Sequence, residues 1–188
     1  MRLIFTIFLL LVNGQCHADD DQDQINNNTH YIIMRVYDGD TVQLRPIDST
    51  NKKIAFKLRL TDIDAPEREQ AYGLKSRQAL VTLCQFRNSI VTARIAGKDK
   101  YQRSLGRLHC NGTDVSVYMA EQGWAWHYAQ YSNDAEIYNA AMRARQLRVG
   151  LWADDNPIAP WIWRRTHKHQ QQHFQWIKPI FSNRNNYF

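Results

Sequence analysis

Apolar and polar residues alternate along Phe56-Lys57-Leu58-Arg59-Leu60, and the alternation stops at Thr61. A period of two describes a half-buried strand, with Phe56, Leu58 and Leu60 toward a core and Lys57 and Arg59 toward solvent or ligand. Just beyond it, Asp62, Asp64 and Glu67 crowd onto a loop pinned by Pro66, because a proline biases the residue before it away from helix. Upstream, Ile32, Met34 and Val36 alternate with Ile33, Arg35 and Tyr37, and Thr41 to Arg45 alternates again. Two such runs about Asp38-Gly39 predict a hairpin closed by a tight turn.

After Ala71 the period lengthens. Leu74, Leu80, Val81 and Cys84 fall on one side of a helix predicted to end near Arg87. Strands are expected at 89–96 and 105–110, separated by a polar loop from Gly97 to Arg103 and followed by an Asn111-Gly112 turn. Asp114 is placed to cap a helix that runs to Gln122 and stops at Gly123. Asn133, with Glu136 three residues later, opens a longer helix that carries Ile137, Ala141 and Leu147 and closes at Gly150. Leu151-Trp152 would then pin it to the body. Five strands with a helix between the third and fourth predict a small α+β domain built on an OB-type barrel, whose groove suits single-stranded nucleic acid.

The first residues change the picture of compartment. Met1-Arg2 precedes an apolar run from Leu3 to Val12 interrupted only by Thr6, and Ala18 stands before Asp19-Asp20-Asp21. This pattern predicts a secretory signal peptide over residues 1–18, too short to span a bilayer. An exported, periplasmic or secreted, protein is expected, followed by an Asn-rich disordered leader at 19–30 and the domain at 31–155. Two cysteines, Cys84 and Cys110, then remain. In an oxidising compartment an even pair invites a disulfide, with two separately buried thiols as the alternative. From Asn156 to the end the chain carries five basic residues, Arg164, Arg165, Lys168, Lys178 and Arg184, and no acidic ones. A basic, aromatic tail at 156–188 suits a polyanion, and by charge alone a membrane surface. His167, His169 and His173 match no metal-site spacing, so a solvated tail is expected there, its aromatic residues free to dock on the barrel or stack on bases.

The order of four clusters carries the chemistry. Asp38-Gly39-Asp40-Thr41 is followed by Leu58-Arg59-Leu60 with Asp62-Ile63-Asp64-Ala65-Pro66-Glu67, then Asp99-Lys100-Tyr101-Gln102-Arg103, then Met119-Ala120-Glu121-Gln122-Gly123-Trp124-Ala125. In this combination the chain resembles the staphylococcal nuclease family over roughly Tyr31 to Trp152. The resemblance implies a five-stranded OB-type barrel with three helices, and a calcium-dependent phosphodiesterase acting on DNA and RNA, preferably where strands are single or breathing. Asp40, Asp64 and the backbone carbonyl of Ala65 match the calcium ligands, with manganese or magnesium as alternatives; hard cations of this kind take oxygen donors. Glu67 matches the general base. Arg59 and Arg103 match the arginines that grip the scissile phosphate, where a guanidinium stays charged and stabilises developing charge. Lys100 and Tyr101 match substrate-binding positions. Gln102 and Ser104 stand where the family commonly has glycine, and Asp62 is expected to be structural. Tyr128 or Tyr131 could supply a base-packing aromatic. A monomer without membrane insertion is expected, and the rival reading is an OB-fold nucleic-acid-binding module that has lost catalysis.

Overall fold

The computed structural model describes residues 29–84 and 90–167. Strands β1 (Thr29–Val36), β2 (Thr41–Pro46) and β3 (Phe56–Leu60) form an antiparallel meander. A two-residue strand β4 (Ile63–Asp64) and helix α1 (Gly73–Leu83) follow. Next come β5 (Ile90–Lys98), β6 (Ser104–Cys110), a short β7 (Thr113–Asp114) and α2 (Val115–Glu121). The chain ends with β8 (Trp126–His127), α3 (Ala135–Gln146) and a fourth helix, α4, at residues 160–167. The order β3-β2-β1-β5-β6 closes on itself through a parallel β3–β6 pairing, giving the expected five-stranded OB-type α+β barrel. Closure removes both sheet edges over this stretch.

Buried Val36, Val42, Leu44, Leu58, Leu60, Val91 and Leu108 fill the barrel, and Leu80, Met119 and Ile137 join them from the helices. The alternation in β3 is as read, with Leu58 and Leu60 buried and Lys57 exposed. In β1 it is not. Tyr31 and Ile33 are the buried residues, and the register then slips between Ile33 and Arg35, so that Val36 turns inward. A bulge inserts one residue and reverses the faces, which a strict period of two cannot show. The strand also begins at Thr29, where Thr29 and His30 pair with Ala93 and Thr92, so the structured domain starts inside the expected leader.

The helices are shorter than their apolar spacing implied. Leu74 is 61% exposed, and α1 ends at Cys84, which forms a disulfide with Cys110 at the end of β6. Closing a loop of that separation stabilises the fold by roughly 3 kcal/mol. Asp114 caps α2 as expected, accepting from the Ser116 and Val117 N–H groups. The cap of α3 is Asp134 rather than Asn133, and it accepts from Glu136 and Ile137. Leu147, at 73% exposed, lies past the helix, which has ended at Gln146 because Arg148 already turns left-handed at φ 53°.

Residues 156–167 depart most from expectation. Ala159 and Pro160 are buried, and Trp161 stacks on Tyr128 with ring centres 5.5 Å apart and meets Trp126 edge-on. Aromatic burial outweighs the local polarity that pointed to a solvated tail. His169, His173, Phe174 and Trp176 lie outside the described residues. Among the described residues no helix is long and apolar enough to cross a membrane.

Arg107 on β6 gathers three carboxylates, bonding Asp62 at 3.0 Å, Asp114 at 2.8 Å and Asp134 at 2.9 Å. It thereby ties the β3–β4 turn to the caps of α2 and α3, and gives Asp62 its structural role. The Ile137 N–H, aided by Arg107, holds the Asp134 carboxyl below its ordinary value of 3.8. Loss of the cap by Asp134→Ala should cost about 1 kcal/mol at neutral pH in denaturant unfolding. A depressed native pKa contributes stability above the unfolded value and loses it as pH falls through the native one. The gap between wild type and variant should therefore narrow below pH 3.8. A gap that stays constant into acid would assign the loss to helix propensity alone.

Candidate active site

The site forms where the β1–β2 loop, strand β3 and the loop from β4 to α1 meet at one mouth of the barrel. Pairing of Thr41 with Arg59 sets the register, and the Leu60 N–H donates to the Asp40 carbonyl at 2.8 Å. Asp40 thus sits directly beside the end of β3. Asp64 sits in β4, paired with Trp126. A left-handed Asp62, φ 71°, makes the tight reversal between β3 and β4 that brings Asp64 back toward Arg59.

The Arg59 guanidinium spans both carboxylates, with Nη1 2.9 Å from Asp40 Oδ2 and Nη2 2.7 Å from Asp64 Oδ1. Its Nη1 also donates to the carbonyls of Leu60 and Ile63 at 3.0 and 3.1 Å, which fixes the fork. Asp40 further accepts from Thr41 Oγ1 at 3.0 Å and from the Ala65 N–H at 2.6 Å, so the hairpin loop and the catalytic-side loop are stitched through this one carboxylate.

Both acids are buried, Asp64 completely. Burial pushes Asp40 up to about 7, against the opposing pull of Arg59 and with added repulsion from Asp38. Burial likewise raises Asp64, offset by Arg164 and reinforced by Asp40. Two carboxylates within one guanidinium's reach in a desolvated pocket are an anionic hole that favours additional cationic charge. The donors on offer are carboxylate and backbone oxygens, the set that calcium and magnesium prefer. This chemistry fits a hard divalent cation held by Asp40, Asp64 and the Ala65 carbonyl. Among the described residues no larger cluster of His, Cys, Asp or Glu suited to a metal occurs.

The Asp38-Gly39 turn contains no left-handed residue. Glycine is needed there for a different reason: a Cβ on Gly39 would lie 1.9 Å from Ser76 Oγ and 2.9 Å from the Ala65 Cβ. Helix α1 packs so closely on the loop that only a hydrogen fits. The close approach recurs at Gly73, where a Cβ would meet the Glu67 carbonyl at 1.9 Å. Glu67 is held between these contacts and Gln70, whose Oε1 accepts the Glu67 N–H at 3.1 Å while its Nε2 donates to the Ile158 carbonyl at 2.6 Å.

Arg103, Lys100 and Tyr101 sit apart from the carboxylates, on the β5–β6 loop. Asp99 organises it, accepting the N–H groups of Tyr101 and Arg103 at 2.9 Å and the Arg103 Nε at 2.7 Å. Those bonds outweigh the effect of burial and keep Asp99 below its ordinary value. Lys100 and Arg103 flank the ring of Tyr101, which is 69% exposed. The parallel register of Leu58 with Ser104 and Arg59 with Leu105 delivers this loop to the β3 side of the barrel. Gln102, in the position usually held by glycine, adopts φ 62°, a backbone state that costs a non-glycine residue roughly 1–2 kcal/mol.

Sequence reasoning missed Arg164. Its Nη1 lies 2.8 Å from Glu67 Oε1, and its Nη1 and Nη2 fork onto Asp64 Oδ1 and Oδ2 at 3.1 and 2.7 Å. The available signal was Trp161 three residues before it, a spacing that puts both on one helix face. Tyr128 also lies near this cluster, its phenol raised by burial and then by Asp64. Tyr131 is exposed beside it, ring centres 4.8 Å apart.

A family model described as "Staphylococcal nuclease homologue" matches residues 57–154. An uncharacterized endonuclease of Haemophilus influenzae is 41% identical over 136 residues, covering 72% of this chain and 73% of its own. One from Escherichia coli O157:H7 is 38% identical over 136 residues, covering 72% and 84%. A micrococcal nuclease of Shigella flexneri is 37% identical over 148 residues, covering 72% and 80%.

Gly39→Ala tests the packing that positions Asp40. The added methyl must displace Ser76 from its 2.7 Å bond to the Trp124 carbonyl, so unfolding should become easier by about 1–3 kcal/mol. Unchanged stability would mean that the loop and α1 separate at little cost.

Proposed function

The chain belongs to the staphylococcal nuclease family and is a nuclease; on that premise we propose that it is an exported, calcium-dependent enzyme hydrolysing phosphodiester bonds of DNA and RNA. The observation that carries this reading is the single Arg59 guanidinium bridging buried Asp40 and Asp64, with Glu67 three residues beyond on the same loop. Asp40, Asp64 and the Ala65 carbonyl would hold the cation, which when bound supplies Lewis-acid stabilisation of phosphate charge.

The chain's own residues then divide the work. Glu67 takes a proton from the attacking water, whose oxygen bonds to phosphorus as the bond to the 5′-oxygen breaks. The proton that the departing 5′-oxygen needs comes from solvent, leaving a 5′-hydroxyl and a 3′-phosphate end. Arg59 and Arg103 stabilise the charge that builds on the phosphoryl oxygens, since a guanidinium stays protonated throughout. Lys100 and Tyr101 would hold a flanking nucleotide, a role that their exposure on the Asp99-organised loop supports. An extruded or single strand is favoured because the phosphate must reach the mouth of the barrel. Export is supported by the Cys84–Cys110 disulfide, a bond typical of oxidising compartments.

Digestion of plasmid and heat-denatured DNA, with calcium or with chelator, tests the proposal. Cleavage should require calcium and be faster on the denatured substrate. Glu67→Gln should lower turnover by roughly 10²–10⁴-fold with DNA affinity largely retained. Well-folded protein that binds DNA without calcium-dependent cleavage would instead indicate a binding module.

A further inference from the structure

Helix α4 closes over the carboxylates from outside the segment that carries the family match. Its Arg164 faces Asp64 end-on, a guanidinium nitrogen on each oxygen at 3.1 and 2.7 Å, and the same group reaches Glu67 at 2.8 Å. Arg59 already holds Asp64 Oδ1. Every oxygen of Asp64 is thus engaged by cationic nitrogen. The three bonds take three of the roughly four lone-pair sites of the carboxylate and bring a positive charge onto it, so guanidinium and cation compete for Asp64.

The contact is anchored. Trp161 stacks on Tyr128 with planes 9° apart and meets Trp126 edge-on, Ala159 is buried, and Gln70 bonds the Ile158 carbonyl at 2.6 Å. Gln70 also receives the Glu67 N–H, so the strap and the proposed base are mounted on one side chain. The Arg164 side chain itself remains 40% exposed, and its helix is not part of the barrel sheet.

We propose that Arg164 is a built-in competitor for the divalent cation: it neutralises Asp64 and Glu67 in the cation-free enzyme, and helix α4 is the latch that the cation must displace. The proposal rests on the reading of Asp40 and Asp64 as the cation site. It makes Arg164 a determinant of cation affinity, acting through Asp64 and Glu67. The charge of arginine persists at every working pH, so Arg164 competes in its charged form throughout. The same displacement would uncover Tyr128, which Trp161 covers.

Calorimetric titration of the full chain with calcium alone tests this. Arg164→Ala should bind calcium about tenfold more tightly than wild type, within the usual range for two ligands coupled at one site. Trp161→Ala, which frees the latch but keeps the arginine, should move affinity in the same direction and keeps the test available if Arg164→Ala does not fold. Arg165→Ala removes the same charge from an exposed neighbour and should leave affinity unchanged. In thermal melts the calcium-free Arg164→Ala protein should unfold earlier, and its gain on adding calcium should exceed that of wild type. Calcium binding by wild type with no gain in folded Arg164→Ala or Trp161→Ala would overturn the latch and leave the cation site standing. Absence of calcium binding in wild type and all variants would overturn both. Unchanged calcium affinity with weakened DNA binding would make Arg164 a phosphate contact instead.

Discussion

A carboxylate with no access to water has to be neutralised by something the fold provides, and Asp64 is in that position. An uncompensated buried charge costs several kcal/mol, more than most single contacts in a domain return. Arg59 reaches it from strand β3 and Arg164 from helix α4, while Asp40 shares Arg59 and is stitched to Ala65. Much of the local architecture is explained by this requirement: the left-handed Asp62, the hydrogen-only gap at Gly39 and the docking of α4 all serve to bring positive and negative groups together. The same desolvated negative charge is what gives a hard cation a reason to bind.

The barrel supplies the rigidity. Parallel pairing of β3 with β6 closes it and sets the Arg103 loop against the strand that carries Arg59. The Cys84–Cys110 bond ties α1 to the end of β6, and Arg107 ties β6 to both helix caps. Of the groups proposed to act on one phosphate, Arg59 and Arg103 stand on or beside the closed sheet and Glu67 follows the separate β4, so distant parts of the sequence meet on a rigid frame of the kind that preorganised electrostatic catalysis needs.

Much of this is legible in the sequence. The alternation in β3, the Asp114 cap and the stop at Gly123 follow from local rules, because each is decided by neighbours in sequence, whereas the cysteine pair followed from the expected compartment and an even count. The order of the acidic and basic clusters pointed to the family. What could not be read were features decided by contacts across the chain. The bulge in β1 reverses which residues face inward, yet it leaves no mark in composition. Gly39 looked like a turn residue and is instead a packing residue. Arg107 has no sequence neighbour that marks it as the partner of three carboxylates. The stretch from Asn156 to His167 looked like soluble tail because its polarity is visible in sequence, whereas its partners, Tyr128, Trp126, Gln70 and Asp64, are 30 or more residues away.

Asp40 and Asp64 are proposed to form a cation site rather than a purely structural ion-pair cluster. An anomalous difference map from crystals soaked in manganese, a cation with similar oxygen preference and a usable signal, distinguishes the two. A cation site gives a peak bonded directly to oxygens of both Asp40 and Asp64. Full manganese occupancy elsewhere on the molecule, with Arg59 still bridging two unliganded carboxylates, would contradict it.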